Sequence, residues 1–438
     1  MRSDTTQFIS HWPGIIFGAS DALVEEMTEN SLRCVWCGRL AEEGNMICAS
    51  CGGSLEVVYD YKELHQKFDG RLPVLDGAEG IWKYSPILPL KSSANRVSLG
   101  EGSSPYHRIH KIGSMLGMKN LFIKDESRNP TCSFKDRKSA VAISKAIEDG
   151  YSRVAAATAG NAGSSVAAYA AKAGIQSYIF AFQGISKAKI AKLLAFRANV
   201  FLTSGSTGDV IEFVGKICDQ YQLQNCSAAS RHNPYVKEGA KTAIFEIFEE
   251  TNGQLPDWIV VPIGGGGNLS AYYKGLKELK ELGLIEKCPR LVGVQAAGCA
   301  PVVEAFVKKL DPRNIPKISN PKTIAHSILD DWAPDGDLAI VSLKETNGLA
   351  IAVPDEEIIS ATKDLSGIEA IYAEPSSATP LAALKQLLAN KVVERDESVA
   401  LIVTGFGLNQ PDATVDNSPP PTTLPDLKVD SFGVFLKD

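Results

Sequence analysis

The sequence predicts an α/β fold in which parallel sheets carry helices on both faces, and two observations predict it. Between residues 81 and 410, short runs rich in β-branched and aromatic residues are each followed by a segment with a helical apolar period. Glycine-rich turns follow two of these runs, and ligands of such folds bind at the carboxyl ends of strands. The 438 residues suffice for two or three domains with cores of their own.

The predicted strand and helix units follow one another along the chain. The run "NLFIKDE" precedes a helix that begins near Lys135, and "RVAAATAG" precedes "NAGSSVAAYAAKAG". The run "QSYIFAF" precedes "SKAKIAKLLAFR", "WIVVPIGGGG" precedes "NLSAYYKGLKELKELG", and "SVALIVTGFG" closes the series. Because a helix returns the chain to the starting edge, consecutive strands of this kind pair in parallel.

Three regions of the chain differ in composition. Residues 1–80 form an N-terminal extension that holds four clustered cysteines, and residues 81–410 contain the strand and helix units. Residues 411–438 are rich in Pro, Asp, Ser and Thr, a composition that predicts a flexible tail.

The overall charge favours small molecules as partners. A net charge of −6 argues against binding to nucleic acid or to an anionic membrane, because neither is attracted to an acidic surface. The first residues show no signal-peptide pattern, and no apolar run reaches the ~18 residues of a membrane span. We therefore expect a cytoplasmic protein.

The four clustered cysteines predict a structural zinc ribbon over about residues 31–60. Cys34 and Cys37 form one Cys-x-x-Cys-Gly turn, and Cys48 and Cys51 form a second one after a ten-residue spacer. Two such turns supply four thiolates for a tetrahedral zinc ion, which leaves no position open for chemistry. Two disulfides or free thiols are the alternative. The remaining five cysteines are scattered and are expected to be reduced.

Three turns carry the candidate chemistry. Lys135 stands in "SFKDR" at the start of a predicted helix, where the helix dipole disfavours a positive charge, so it is a candidate covalent catalyst. The turn "TAGNAGSS" offers free amides to a carboxylate, and "PIGGGGNLS" offers side-chain-free backbone to a phosphate. Taken singly, Lys135 would be a surface lysine and Asn161 a helix cap.

The motifs also occur in a known order. The segments "SLGEGSSPYHR", "KDESRNPTCSFKDR", "TAGNAGSSVAAYAAKAG", "PIGGGGNLSAYYKGLK", "VGVQAAGCAPVVEAF", "AEPSSATPLAALKQL" and "VTGFGL" resemble, in order and spacing, the threonine synthases among the type II pyridoxal-phosphate (PLP) enzymes. The resemblance spans roughly Gly100 to Leu408 and implies two doubly wound parallel α/β domains with the cofactor in the cleft. It implies a smaller mobile domain at about 137–245, inserted in a larger one formed by 81–136 and 246–410.

The resemblance also implies a role for individual residues. Lys135 matches the lysine that forms the Schiff base with PLP, Asn161 the residue at the ring hydroxyl, and Thr404 the hydroxyl at the pyridine nitrogen. Glu374 matches a residue that borders the cofactor, although an acid at a helix start is as often a simple cap. The phosphate cup corresponds to Gly264, Gly265, Gly266, Gly267 and Asn268, and the substrate carboxylate site to Thr158, Ala159, Gly160 and Ala162.

Departures from the family pattern leave the substrate open. Ala162 stands where a threonine is usual, Val236 where an arginine is usual, and Lys138 where a glycine is usual. Arg231 and Lys187 are candidates to compensate in binding a substrate phosphate.

The most specific prediction is threonine synthase, which converts O-phosphohomoserine and water into threonine and phosphate. The alternatives are a serine or threonine ammonia-lyase, a β-replacement enzyme resembling cysteate or diaminopropionate synthase, and a non-catalytic binding protein. Many family members are dimers, so a homodimer is one assembly to test.

Overall fold

The computed structural model describes residues 31–42, 44–158 and 160–424. The strands are β1 (Ser31–Cys34), β2 (Leu55–Val58), β3 (Tyr106–Arg108), β4 (Leu121–Asp125), β5 (Arg153–Thr158), β6 (Gln176–Phe182), β7 (Asn199–Thr203), β8 (Gln224–Asn225), β9 (Trp258–Pro262), β10 (Arg290–Ala296), β11 (Leu349–Val353) and β12 (Val399–Val403). The helices are α1 (Tyr61–Lys67), α2 (His110–Leu116), α3 (Lys135–Glu148), α4 (Asn161–Ala173), α5 (Lys187–Ala195), α6 (Thr207–Tyr221), α7 (Val236–Glu250), α8 (Gly267–Glu281), α9 (Pro301–Val307), α10 (Gly336–Glu345), α11 (Asp355–Glu369), α12 (Pro375–Ala389) and α13 (Pro411–Val415).

The larger sheet has six strands in the order β11-β10-β9-β12-β4-β3. All its pairs are parallel except β3 with β4, which lies at one edge. The central strands β9 and β12 are buried along their whole length, since their runs "WIVVP" and "VALIV" are covered by helices on both faces. Their carboxyl ends lead into the glycine loop and into the turn at Thr404.

The smaller sheet has four parallel strands in the order β7-β6-β5-β8. Its strands lie between residues 153 and 225, and the connecting helices α4, α5 and α6 lie in the same segment. The outer strand β7 is partly exposed, whereas all but the first residue of β5 are buried. The carboxyl end of β5 leads directly into the turn at Gly160 and Asn161.

A small antiparallel unit precedes both sheets. β1 pairs with β2, and the four cysteines lie on and between these strands. The unit packs against the larger sheet's helices, because Lys274 of α8 donates to the Val57 carbonyl at 2.8 Å and Trp36 Nε1 donates to Asp337 Oδ2 at 2.9 Å.

The predicted α/β class, with two parallel sheets and an N-terminal cysteine unit, is confirmed. The smaller sheet lies within the segment 137–245, but the domain boundaries and the mobility of that segment stay predictions. Within the predicted tail, Pro411–Val415 form a short helix, and residues after 424 lie outside the described part of the chain. Across the described ranges, no helix combines the length and the apolar character needed to cross a bilayer.

Candidate active site

A cavity of about 970 Å³, counting its open mouth, lies where the carboxyl ends of the two sheets face each other. Its walls come from the starts of α3, α4 and α8 and from the segment between α9 and α10. Of the residues predicted from the sequence, it brings together Lys135, Thr158, Gly160, Asn161, Ala162, Gly264, Gly265, Gly266, Gly267, Asn268 and Thr404.

Lys135 is the first residue of α3 and points into this cavity. The segment before it is held against the turn after β12, because the Phe134 amide donates to the Thr404 carbonyl at 3.0 Å. Burial lowers the pKa of Lys135, while the nearby carboxylate of Asp330 opposes that shift. A lysine whose charge is destabilised in this way is readily deprotonated, and the neutral amine is the nucleophilic form.

Two buried residues that directly follow Lys135 fix the start of its helix. Asp136 accepts hydrogen bonds from the amide and hydroxyl of Thr131, both at 2.6 Å, and burial raises the pKa of this carboxyl to about 6. Arg137 is 1% exposed and forms ion pairs with Glu126 at 2.7 Å and with Glu246 at 2.6 Å. Because both carboxylates are buried with it, Arg137 clamps α3 to α7 from inside the core.

The turn after β5 presents Asn161 to the cavity. Thr158 Oγ1 accepts from the amides of Gly160 and Gly163 at 2.8 and 2.9 Å, which closes the turn. Gly160 has φ +133°, and a β-carbon there would lie 2.1 Å from the Lys189 side chain, so the position requires glycine. Asn161 Nδ2 donates to Glu374 Oε1 at 2.8 Å, which links the two sheets.

The glycine loop has the shape of a phosphate cup because another segment of the chain packs directly behind it. A β-carbon on Gly264 would lie 2.3 Å from the Asp330 carboxylate, and one on Gly266, at φ +94°, would lie 2.5 Å from the Asp335 carbonyl. Asn268 is 6% exposed, and neither atom of its amide has a hydrogen-bond partner within the described residues. A closely backed loop at the start of α8, with an unpaired buried amide, fits a bound phosphate.

The turn after β12 supplies a neutral hydroxyl. Thr404 is 5% exposed, and its Oγ1 lies 2.9 Å from Ser377 Oγ, which also accepts from the Gly405 amide at 2.7 Å. The pair fixes the Thr404 side chain without a charged group, so a ring nitrogen beside it would not be held protonated.

Three of the predicted residues are not placed in the cavity, and one of them, Lys187 at the start of α5, is not among the described residues that line it. Ala159 lies outside the described residues. Arg231 is not among the described residues that line the cavity; its backbone amide donates to Asp335 Oδ1 at 3.2 Å, and the Ser230 amide donates to Oδ2 at 2.9 Å. The Asp335 carboxylate thus holds this turn by its backbone.

Several cavity residues were not predicted from the sequence. Asp330, Asp335 and Ser327 come from one segment with no motif of its own, and Lys138 was noted only as a departure from the family pattern. Burial raises the pKa of Asp330 to about 6, and the positive charge of Lys135 opposes that shift. Lys189 is 2% exposed, packs behind Gly160 and has its Nζ 3.1 Å from Ser327 Oγ. The two consecutive acids in "SILDDWAPDG" were the available signal.

The four cysteines form a compact cluster whose geometry could hold a metal ion. Their Sγ atoms all lie within 4.8 Å of one another, with Cys34 and Cys51 at 3.5 Å and Cys37 and Cys48 at 3.6 Å. Zinc bound to four sulfurs at ~2.3 Å requires sulfur separations of roughly 3.8 Å, so the cluster is of the right size. The Trp36 amide donates to Cys34 Sγ at 3.4 Å, a second-sphere contact typical of such sites.

Comparison with known proteins agrees with this geometry. Residues 97–405 match the family of pyridoxal-phosphate dependent enzymes. The chain is 37% identical to a threonine synthase of Methanocaldococcus jannaschii over 90% of this chain and 96% of the relative. It is 36% identical to a threonine synthase of Methanosarcina acetivorans over 92% and 97%, respectively.

A solved structure shares the fold. Diaminopropionate ammonia lyase from Escherichia coli superposes with a TM-score of 0.63 at 17% identity, covering 72% of this chain and 87% of that protein. Pyridoxal phosphate is the cofactor that the matched family implies. The chain belongs to the pyridoxal-phosphate dependent enzymes, in their threonine synthase branch, and is a PLP-dependent lyase.

Proposed function

We propose that this protein is a threonine synthase, which converts O-phosphohomoserine and water into threonine and inorganic phosphate. The observation that carries the proposal is a single cavity that contains Lys135, the glycine loop, Asn161 and Thr404. Identities of 37% and 36% to threonine synthases over nearly their whole length support the same activity.

The cavity residues are suited to bind PLP and to accept a proton from the substrate. The cofactor, when bound, supplies an electron sink for the negative charge that develops on substrate carbon atoms. Lys135 would hold it covalently, the glycine loop and Asn268 would hold its phosphate, and Thr404 would face its ring nitrogen. Because burial lowers the pKa of Lys135, its released amine is suited to accept a proton from the substrate.

The substrate would bind at the turn after β5. The amides of Asn161 and Ala162 at the start of α4 suit its carboxylate, because the neighbouring amides of Gly160 and Gly163 already donate to Thr158. Lys189 places a buried ammonium beside that turn, and burial lowers its pKa while the Glu374 carboxylate opposes the shift. We propose Lys189, which packs behind Gly160 and is not itself among the described residues that line the cavity, as a cation that attracts the leaving phosphate in place of Arg231.

Closure of the two sheets over the substrate would exclude water, and Asn161 with Glu374 lies at the point of contact. We propose that the smaller domain, about residues 137–245, moves in this step. We also propose zinc as the metal of the cysteine cluster, which has no open ligand position, and a homodimer as the assembly.

A serine or threonine ammonia-lyase is the second candidate. The observation that favours it is the loss of polar groups for a second phosphate: Ala162 lines the cavity, and Val236 and Arg231 do not. The Asp330 carboxylate also borders the cavity and would repel an anionic side chain.

One assay separates these functions. The purified holoenzyme is incubated with O-phosphohomoserine, O-phosphoserine, serine or threonine, and threonine, 2-oxo acid and phosphate are measured. We expect threonine and phosphate in equal amounts from the first substrate alone. A 2-oxo acid formed from serine or threonine, with no threonine from O-phosphohomoserine, would replace the proposal by the ammonia-lyase. A protein that binds no PLP at all would contradict both enzymes.

A further inference from the structure

Lys138 is a second lysine inside the cavity, one turn after Lys135 on α3. Residues three apart on a helix lie on the same face, so both amines reach the same space. Lys138 is 3% exposed and lines the cavity together with the glycine loop. A lysine buried to this degree is rare unless its ammonium has a partner.

Within the protein, that ammonium has little to bind. A protonated lysine has three donors, and among the described residues the one hydrogen bond of Lys138 Nζ goes to the Ala228 carbonyl at a long 3.3 Å. The amine lies against the glycine loop, because a β-carbon on Gly267 would be 3.1 Å from Nζ. Gly267 is the first residue of α8, where free amides already favour an anion.

We propose that Lys138 is a direct ligand of the cofactor phosphate, and that it adds a positive charge to a cup otherwise made of backbone amides and Asn268. This inference rests on the proposed function, since it requires PLP in the cavity. The sequence motif of this phosphate site consists of glycines alone, and Lys138 would add a charged group to it.

The charge balance of the cup explains why such a group is needed. The Asp335 carboxylate also borders the cup, since its Oδ2 would be 2.5 Å from a β-carbon on Gly267. Asp335 is fixed there by the amides of Ser230 and Arg231. A carboxylate at this position repels a phosphate, and the ammonium of Lys138, which lies against the same glycine, offsets that repulsion.

The surroundings of Lys138 also predict a pH dependence. Burial, together with the positive charges of Lys135 and Lys237, lowers the pKa of its amine to about 7, and the Asp335 carboxylate opposes that shift. A bound phosphate dianion favours the protonated amine and therefore raises this pKa. The contribution of Lys138 to cofactor affinity is then complete below about pH 7 and is lost as pH rises through the pKa of the bound state.

The experiment compares two forms of the cofactor. Dissociation constants are measured for PLP and for pyridoxal, which lacks the phosphate, with wild-type protein, Lys138→Met and Lys138→Gln. We expect both variants to bind PLP about 10- to 100-fold more weakly, as for the loss of one charge-assisted hydrogen bond, and pyridoxal with unchanged affinity. The loss should shrink as pH rises above the bound-state pKa.

Lys237→Met is the matched control. Lys237 is 2% exposed, also lies near Asp335, and is not among the described residues that line the cavity. An equal loss of PLP affinity in Lys237→Met would mean that any positive charge near the cavity strengthens phosphate binding at a distance. That result would overturn the assignment of Lys138 as a direct ligand. An equal loss for PLP and pyridoxal in the Lys138 variants would overturn it as well.

Two further results keep the inference separate from the proposed function. Wild-type protein that binds no PLP contradicts the proposed function, whereas variants that bind PLP like wild type contradict the Lys138 inference alone. If the variants do not fold, the ³¹P resonance of PLP bound to wild type decides. A ligand ammonium keeps that phosphate dianionic down to about pH 5, and a resonance that titrates near pH 6, as for a free phosphate monoester, overturns the inference.

Discussion

The cysteine cluster and the cavity are two sites built in opposite ways. The cluster takes all four of its ligands from residues 34–51, and its Sγ atoms lie within 4.8 Å of one another. The cavity takes its residues from segments that are spread between residues 134 and 404. A site built from one short segment depends on local spacing, whereas one built from many segments depends on the fold that brings them together.

The largest expected effect is on the cavity. Replacing Lys135 by Ala removes both the covalent anchor and the proton acceptor, so we expect at least a ~10²- to 10⁴-fold loss of kcat/KM. The absorption band of the lysine-linked cofactor should disappear, while metal content stays at the wild-type value. None of the four cysteines lines the cavity, so the loss of Lys135 should not change the metal content.

Absorbance spectra and metal analysis are carried out on the same preparations of wild type and Lys135→Ala, so that cofactor content and metal content can be compared directly. A Lys135→Ala protein that retains both the band and the activity would show that another amine carries the cofactor. Lys189→Met is the informative companion, because it should weaken substrate turnover and leave the band in place.

The second-largest effect is expected from substitutions in the cysteine cluster, which should change the metal content and leave the cavity intact. Replacing Cys37 and Cys51 together by Ser removes two of four thiolates, so bound metal should fall from one ion per chain to none. Hydrogen exchange should then accelerate across β1 and β2, because the proposed metal ion would hold the segment between them. We expect the cofactor band to persist.

Cys288→Ser is the control for this change, because Cys288 is a free thiol outside the cluster. Metal content measured by inductively coupled plasma mass spectrometry should be unaffected in that variant. Retention of a full metal ion in the double variant would place the metal somewhere other than in the predicted ribbon.

The same contrast explains what could be predicted from the sequence. The cluster and the motifs around Lys135 and Gly264–Gly267 were found because each carries its chemistry within a few residues. Asp330 and Asp335 could not be found in this way, since they reach the glycine loop only through packing of the segment after α9. Arg231 was named from its position near a predicted phosphate site, but its turn is held by backbone amides that donate to Asp335.

A smaller effect concerns the pH at which the cavity takes up its cofactor. Asp330 raises the pKa of Lys135, in opposition to burial, so Asp330→Asn should lower that pKa and leave more neutral amine at a given pH. The pH at which cofactor incorporation into the apoenzyme is half-maximal should therefore move downward. Because the pKa of Asp330 itself is about 6, wild type and variant should converge below that pH.

Stopped-flow absorbance of PLP incorporation is recorded between pH 5.5 and 9 in steps of about half a unit. The midpoint pH should move by the amount that one neighbouring charge shifts a pKa. Asp331→Asn is the control, since Asp331 adjoins Asp330 but is not among the described residues that line the cavity. Superimposed profiles for wild type and Asp330→Asn would show that this carboxylate does not act on Lys135.

The smallest expected effect lies at a hydrogen bond between the cysteine cluster and the helix that follows the cavity segment. Trp36, between Cys34 and Cys37, donates to Asp337 Oδ2 at 2.9 Å, and Asp337 follows Asp335, whose amide donates to the Gly265 carbonyl at 2.8 Å. Trp36→Phe removes the donor and leaves a half-buried carboxylate less well satisfied, at a cost of about 1–3 kcal/mol in local stability. Hydrogen exchange of β1 and of the start of α10 should report this loss of local stability. PLP affinity should change by less than about threefold, because the hydrogen bonds of Asp335 remain.

A double-mutant cycle with Asp337→Ala tests the hydrogen bond itself, and a coupling energy near zero would mean that it contributes nothing. A tenfold loss of PLP affinity in Trp36→Phe would mean that the two sites are not independent.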